Sequence, residues 1–162
     1  MRLLPTRTLR SGFVILTCSV VFASAQRERS VVLPPDEARN LHPWGSEAHP
    51  QAWQPTPREI DEMESHFDDL KRSKLPPHAG CWGQTFVFEP DTYYMQYSPL
   101  VSEGRQYIYI NAFRNRTGPR GWAELWHEQL IWPPKGGGTD YWRVLYEPAT
   151  KTFSLLTFNG CE

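Results

Sequence analysis

The sequence predicts an α+β domain in which one amphipathic helix packs on a curved antiparallel β-meander of five to six strands, closed by a single disulfide. One segment, from Pro57 to about Lys71, has helical periodicity and strong boundary signals. After Cys81 the chain becomes a series of short aromatic and β-branched runs divided by turn residues, which is typical of strands. The separators between these runs are short, and short connections favour antiparallel neighbours.

The predicted helix begins at a capping box. The Thr56 hydroxyl can accept a hydrogen bond from the backbone N–H of Glu59, the Glu59 carboxylate can reach back, and Pro57 fits the first helical turn. Apolar side chains follow at spacings of three, four and three residues: Ile60, Met63, Phe67 and Leu70. This spacing places them in one stripe, which must face a core.

Six runs are predicted to form strands: from Gln84 to Glu89, from Thr92 to Tyr97, from Gln106 to Phe113, from Ala123 to Trp132, from Tyr141 to Tyr146 and from Thr152 to Phe158. The third run alternates aliphatic and aromatic residues, so it has two apolar sides and is expected to be central. The last two runs form the clearest hairpin. The predicted helix is the natural cover for the aliphatic side of the sheet.

The first residues have the pattern of a secretory signal peptide. Three arginines without an acidic residue precede an apolar stretch, from Gly12 to Phe22, that is too short to span a bilayer. Ala23-Ser24-Ala25 supplies the small residues of a cleavage site. We expect a signal peptide over residues 1–25, a proline-rich extended tether over 26–55 and a single domain over 56–162. The expected location is extracytoplasmic, either periplasmic or secreted.

Removal of the signal peptide leaves 14 basic residues against 18 acidic ones, a net charge of −4. This charge argues against nucleic acid as a partner, because the phosphate backbone attracts basic surfaces. No second apolar segment is present to form a transmembrane anchor. We expect a soluble domain without a cofactor, and an extracytoplasmic protein or glycan as its partner.

Two cysteines, Cys81 and Cys161, remain after cleavage. An even number of cysteines in an oxidising compartment predicts a disulfide. A closed loop of about 80 residues would stabilise the domain by roughly 4–5 kcal/mol in the chain-entropy model. A metal or redox role for the two thiols lacks a CxxC motif and a histidine at ligand spacing.

The proline-rich segment contains two clusters of histidine and tryptophan, His42-Pro43-Trp44 and the stretch from His49 to Trp53. Their indoles can cover an edge or groove of their own domain or dock on a partner. His42 and His49 are suitable ligands for copper or zinc, but two loop histidines seven residues apart do not predict a site. No metal site is therefore expected.

Glu124 and Glu128 are the carboxylate pair of the strand region that invites comparison with a glycosidase. On a strand they would face one side about 13 Å apart, at ~3.3 Å per residue, farther than either glycosidase mechanism uses. His127 adds an imidazole, but neither a nucleophile motif nor an HExxH sequence accompanies it. These three residues are the candidates for catalysis, and a solvated strand face is the alternative interpretation.

Aromatic residues make up 14% of the chain, more than a helix and one sheet face must bury. Exposed Trp and Tyr side chains stack on sugars or form protein interfaces. Trp122, Trp126 and Tyr141 are the candidate binding residues, and a thick aromatic core is the alternative. The run Gly136-Gly137-Gly138 lacks the context of a phosphate-binding loop and is expected to form a hairpin loop.

Several stretches after Cys81 follow one pattern: Tyr94-Met95-Gln96-Tyr97, Gln106-Tyr107-Ile108-Tyr109-Ile110-Asn111, Gly137-Gly138-Thr139-Asp140-Tyr141-Trp142 continuing to Tyr146-Glu147, and the stretch from Phe153 to Gly160. In these stretches the C-terminal half resembles a group of small exported bacterial domains. In that pattern a cysteine and an acid precede the paired glycines, where this chain has Pro133-Pro134-Lys135, so the pairing of Cys81 with Cys161 stays an inference. The resemblance implies no activity that can be transferred.

Three functions are compatible with these observations. The first is a non-catalytic binding or inhibitor-like module, favoured by the aromatic excess and the missing catalytic constellation. The second is a hydrolase acting on an envelope polymer through His127, Glu124 and Glu128. The third is a structural component of the cell envelope.

Overall fold

The computed structural model describes residues 28–40, 53–72, 88–114, 122–132 and 136–160. Five strands form one sheet in sequence order: β1 (Ser30–Val32), β2 (Tyr93–Ser102), β3 (Arg105–Arg114), β4 (Tyr141–Glu147) and β5 (Thr152–Phe158). Two α-helices are described, α1 (Pro57–Ser65) and the single turn α2 (Trp122–Leu125). The prediction of an α+β domain with one sheet is confirmed.

The sheet is mixed, so the prediction of a purely antiparallel meander is wrong at one edge. Strands β2 to β5 are antiparallel neighbours, but β1 pairs with β2 in parallel. The Leu33 N–H donates to the Tyr97 carbonyl and the Met95 N–H donates to the Arg29 carbonyl, both at 2.8 Å. This strand lies in the segment expected to form a tether, and its three residues were too few to carry a period-two signal.

Strand β2 continues five residues beyond the predicted end at Tyr97 and includes Pro99. Proline is tolerated there because the backbone groups of Met95 and Tyr97 point to β1, and Pro99 is the next residue on that side. The ladder to β1 ends at Tyr97, so the missing N–H of Pro99 breaks no ladder bond. A tight turn with positive φ at Glu103 and Gly104 then leads into β3.

Helix α1 covers the first face of the sheet. Its predicted capping box is present: the Thr56 N–H donates to Glu59 Oε2 at 2.7 Å, and the Glu59 N–H donates to Thr56 Oγ1 at 3.3 Å. The α-helix ends at Ser65 and the segment continues as a 3₁₀ helix, Phe67–Arg72. The predicted stripe faces the sheet, and three of its four residues are buried.

The core beneath α1 is rich in aromatic side chains. The sheet contributes these buried residues: Tyr93, Met95, Tyr97, Ile108, Ile110, Ala112, Trp142, Val144 and Tyr146. Phe67 and Phe88 meet edge to face with ring centroids 5.6 Å apart, and Phe88 meets Trp142 in the same way at 5.5 Å. Many of the aromatic side chains therefore lie in the core, in agreement with the alternative interpretation of the aromatic excess, a thick aromatic core.

The second face of the sheet is also covered, as expected for a central strand with two apolar sides. Its cover includes α2 and the turn that follows, where the sequence predicted a strand from Ala123 to Trp132. That prediction is wrong. The N–H groups of Glu128 and Gln129 both donate to the Leu125 carbonyl at 2.9 Å, which is helical geometry. The alternation of Trp and Glu residues matches the period of a strand, but contacts of this segment with the sheet decide its conformation.

Other predictions fall largely or wholly outside the described residues: the signal peptide, His42, His49, the disulfide between Cys81 and Cys161, and the strand from Gln84 to Glu89 except for Phe88 and Glu89. Those last two residues are not in a strand. Among the helices that the structure describes, none has the length and apolar character needed to cross a membrane.

Candidate binding surface on the second sheet face

Two buried amide side chains lie side by side on the second face of the sheet. Gln96 of β2 and Asn111 of β3 are direct cross-strand partners, with 0% and 3% of their surfaces exposed. The Asn111 Nδ2 donates to Gln96 Oε1 at 2.9 Å. Buried polar groups cost free energy unless they are hydrogen-bonded, so the other hydrogen-bond partners of these two amides indicate their structural role.

The two amides hold the backbone of residues 123–132, which we call the clamped loop. Gln96 Nε2 donates to the carbonyls of Trp126 and Gln129, at 2.7 and 2.6 Å. Gln96 Oε1 accepts from the Ile131 N–H at 2.8 Å, and Asn111 Nδ2 donates to the Ile131 carbonyl at 2.8 Å. Four hydrogen bonds from the sheet therefore fix the path of the loop.

Apolar contacts support the same attachment. Trp126 is 4% exposed, and its ring meets Tyr94 edge to face with centroids 5.2 Å apart. Leu130 and Ile131 are buried in the two apolar clusters of this face. Glu37, far away in sequence, accepts a hydrogen bond from the Leu130 N–H at 3.0 Å.

The outer side of the clamped loop presents a mixed surface. Two large apolar side chains, Leu125 and Trp132, are each 42% exposed. Four polar residues of the loop are exposed as well: Glu124, His127, Glu128 and Gln129. The His127 ring lies against the buried Trp126, with ring centroids 4.0 Å apart, so it is partly positioned by the anchored indole.

The structure changes the geometry of the catalytic candidates. Glu124 lies on α2, and His127 and Glu128 lie in the turn that follows it, so the ~13 Å separation expected on a strand does not apply to the two carboxylates. All three side chains are exposed, so water hydrates them.

The candidate binding residues are placed differently from one another. Trp126 and Tyr141 are buried, with 4% and 2% of their surfaces exposed, so their rings can support a binding surface but do not present one. Trp122 belongs to α2, and its side chain lies outside the described part of the structure.

Sequence reasoning missed Gln96 and Asn111, although a signal was present. Each is a polar residue in an otherwise apolar or aromatic strand, at a position where the chain is predicted to be covered. A polar residue there must find partners, and neither strand backbone can supply them. What the sequence could not show is that the partners are backbone groups 20 to 35 residues further along the chain.

A second candidate surface, which is concave, lies at the edge of the sheet on its first face. It is a groove with a volume of about 360 Å³, lined by Ser30, Val31, Val32, Gln54, Pro55, Pro57, Ile60, Asp61 and Tyr97. The Tyr97 hydroxyl donates to Glu64 Oε1 at 2.7 Å. Burial, together with the neighbouring Glu64 carboxylate, raises the pKa of the Tyr97 phenol well above its ordinary value.

Within the described ranges, no group of three or more His, Cys, Asp or Glu residues could hold a metal ion. No protein-family model matches the chain, and neither a curated protein nor a solved structure does so.

Proposed function

We propose that this protein is an exported, non-catalytic binding module that recognises a protein partner through the clamped loop. The observation that carries the proposal is the use of the two buried amides. Apart from the bond between the two amides, all the described side-chain hydrogen bonds of Gln96 and Asn111 go to the backbone of this loop. The sheet thus fixes the loop backbone while its outer side chains face solvent.

A fixed loop on a rigid sheet favours binding for a thermodynamic reason. Association costs free energy when it must order a flexible segment, and a loop that is already ordered avoids that cost. Binding residues are often placed on loops that a rigid scaffold positions. The side chain of Trp126 is buried against the sheet, and this burial adds to the order of the loop because it anchors the turn that carries His127 and Glu128.

The exposed side chains indicate the chemistry of the partner. Leu125 and Trp132 are apolar anchors of the kind found in the centre of protein interfaces. Glu124 and Glu128 add negative charge around them, which favours a partner with an apolar pocket and basic groups at its rim. An aliphatic anchor favours a protein over a glycan, because sugars are recognised mainly by aromatic faces.

The test is a binding assay with matched leucine variants. The purified mature chain is used to capture partners from envelope extract or spent medium, and the affinity of each captured protein is then measured with the wild-type chain, Leu125→Asp and Leu155→Asp. Leu155 is also exposed, at 56%, but lies on β5. We expect Leu125→Asp to weaken binding at least tenfold, whereas Leu155→Asp leaves it unchanged, because an exposed anchor contributes to the interface only.

Thermal unfolding separates a binding defect from a folding defect. Leu125→Asp should unfold within a few degrees of the wild type, since surface substitutions change stability by about 0.5 kcal/mol or less. Equal binding by Leu125→Asp and the wild-type chain would refute the proposal, as would capture of a glycan and no protein.

The hydrolase and the structural component remain the alternatives, and one experiment addresses the first. If the wild-type chain degrades an envelope polymer and Glu128→Gln abolishes that degradation while the variant stays folded, the protein is an enzyme and the binding proposal fails. A structural component would instead show an envelope defect on deletion without a saturable partner in vitro.

A further inference from the structure

We propose that the outer edge of β1 and the groove beside it accept an extended, basic peptide segment of a partner protein, which adds to the sheet as a further strand. This surface is separate from the clamped loop, because it lies at the β1 edge on the face that α1 covers. The inference rests on the direction of the backbone groups of β1, on the lining of the groove and on its charge.

The backbone of β1 has two sides. The Arg29 carbonyl and the Leu33 N–H bond to β2, and in a parallel ladder the residues that bond to one neighbour alternate with residues that point the other way. Ser30 and Val32 therefore direct their N–H and C=O groups away from β2. In the sheet as described, β1 is the terminal strand, and the edge of Ser30 and Val32 is its outer one.

An exposed strand edge is a template for another extended chain, and partner peptides commonly bind by adding a strand. Two residues with outward backbone groups offer two donors and two acceptors, which is enough to align a segment of about five residues. The main-chain bonds would give affinity, and the groove would select the side chains of alternate residues.

The groove has the lining that such a peptide needs. On one side are Ser30 and Val32, the latter 39% exposed, and on the other are Pro55, Pro57 and Ile60 at the start of α1. The two prolines lack N–H donors, so the α1 side offers apolar contact and does not compete for the peptide backbone. A volume of about 360 Å³ is at the small end of the range for ligand clefts and suits the side chains of a short segment.

The charge of the groove selects for a basic segment. Asp61 is the charged residue among those that line it, and Glu64, one turn further along α1, accepts a hydrogen bond from the hydroxyl of Tyr97, another lining residue. Carboxylates in and beside the groove favour a lysine or arginine on the peptide and disfavour an acidic one. A β-branched residue between two basic ones combines this charge with the apolar contact and the preference for an extended backbone.

The test uses the full mature chain and a defined probe, the peptide acetyl-Lys-Val-Thr-Val-Lys-amide. Titration into the ¹⁵N-labelled protein should shift the amide signals of Ser30 and Val32 in a saturable way. A control peptide of the same sequence, with methyl groups on the backbone nitrogens that face β1, should bind about tenfold more weakly, because it lacks those donors.

Two protein variants complete the experiment. Val32→Pro removes an outward N–H but no ladder donor, so binding should fall about tenfold while the circular dichroism spectrum is unchanged. If Val32→Pro unfolds, Asp61→Asn replaces it as the test. Asp61→Asn should weaken binding severalfold and reduce its dependence on salt, because it removes the carboxylate from the groove lining.

Three results would overturn the inference: no saturable shift up to a few millimolar peptide, equal binding of the methylated control, or shifts confined to the clamped loop. Concentration-dependent dimerisation through β1 without peptide would assign the edge to a second copy of the chain instead. Leu125→Asp should bind the peptide like the wild type, so that the failure of one proposal leaves the other open to its own test.

Discussion

Replacement of Gln96 by leucine is the most direct test of the clamp. The change keeps an apolar side chain of similar size at a fully buried position, but removes four hydrogen bonds, three to the clamped loop and one to Asn111. A typical hydrogen bond contributes about 1 kcal/mol net, and a buried group left without a partner costs about 1–3 kcal/mol. Release of the loop would hydrate some of these groups, so we expect a loss of about 3–5 kcal/mol in the free energy of unfolding.

Urea denaturation followed by circular dichroism measures this loss, provided that the slope of the transition is unchanged. The matched control is Gln106→Leu, because Gln106 is an exposed glutamine of β3, and its replacement should change stability by about 0.5 kcal/mol or less. Since a small domain has a total stability of about 5–15 kcal/mol, the difference between the two variants is large. A loss below about 1 kcal/mol in Gln96→Leu would show that the amide does not hold the loop.

Two further predictions concern stability. Gly137 has a φ of +87°, and a Cβ there would lie 2.9 Å from two ring carbons of Tyr141. Gly137→Ala should therefore destabilise the fold by about 2 kcal/mol in urea denaturation. The control Gly160→Ala places its Cβ in open space and should leave stability unchanged, so similar midpoints for the two variants would contradict this account. Burial raises the pKa of Tyr109 from 10.0 to about 12, which favours the neutral phenol in the folded state. The stability from this residue should therefore be fully present below pH 10 and be lost between about pH 10 and 12, and Tyr109→Phe should show a smaller alkaline loss of its urea midpoint than the wild type.

Those features of the fold that depend on neighbouring residues were predictable. The capping box of α1 involves Thr56 and Glu59, three residues apart, and it forms as expected. The last hairpin forms because β4 and β5 are joined by a short turn and have compatible patterns. The prediction that β3 has two covered faces holds as well, since the side-chain alternation of a strand is a local property.

The candidate surface was predictable only in part. Glu124, His127 and Glu128 were predicted as the candidates for catalysis, with a solvated face as the alternative. All three are exposed, but the segment that carries them was wrongly assigned to a strand. A helical turn and a strand can have the same short pattern of apolar and polar residues, and contacts with residues remote in sequence then decide which of the two forms. Here those contacts are the amides of Gln96 and Asn111.

The sequence by itself determined the α+β class, the start of α1, the buried stripe that runs from α1 into the 3₁₀ helix, and the central position of β3, because each follows from residues a few positions apart. Only the tertiary structure decided that residues 30–32 join the sheet in parallel, and that residues 123–132 form the end of α2 and a following turn held against the second face of the sheet. Both depend on hydrogen bonds across tens of residues, from Leu33 to Tyr97 and from Ile131 to Gln96. Such pairings produce little periodicity in the residue pattern of either segment, since each partner supplies only a few backbone groups.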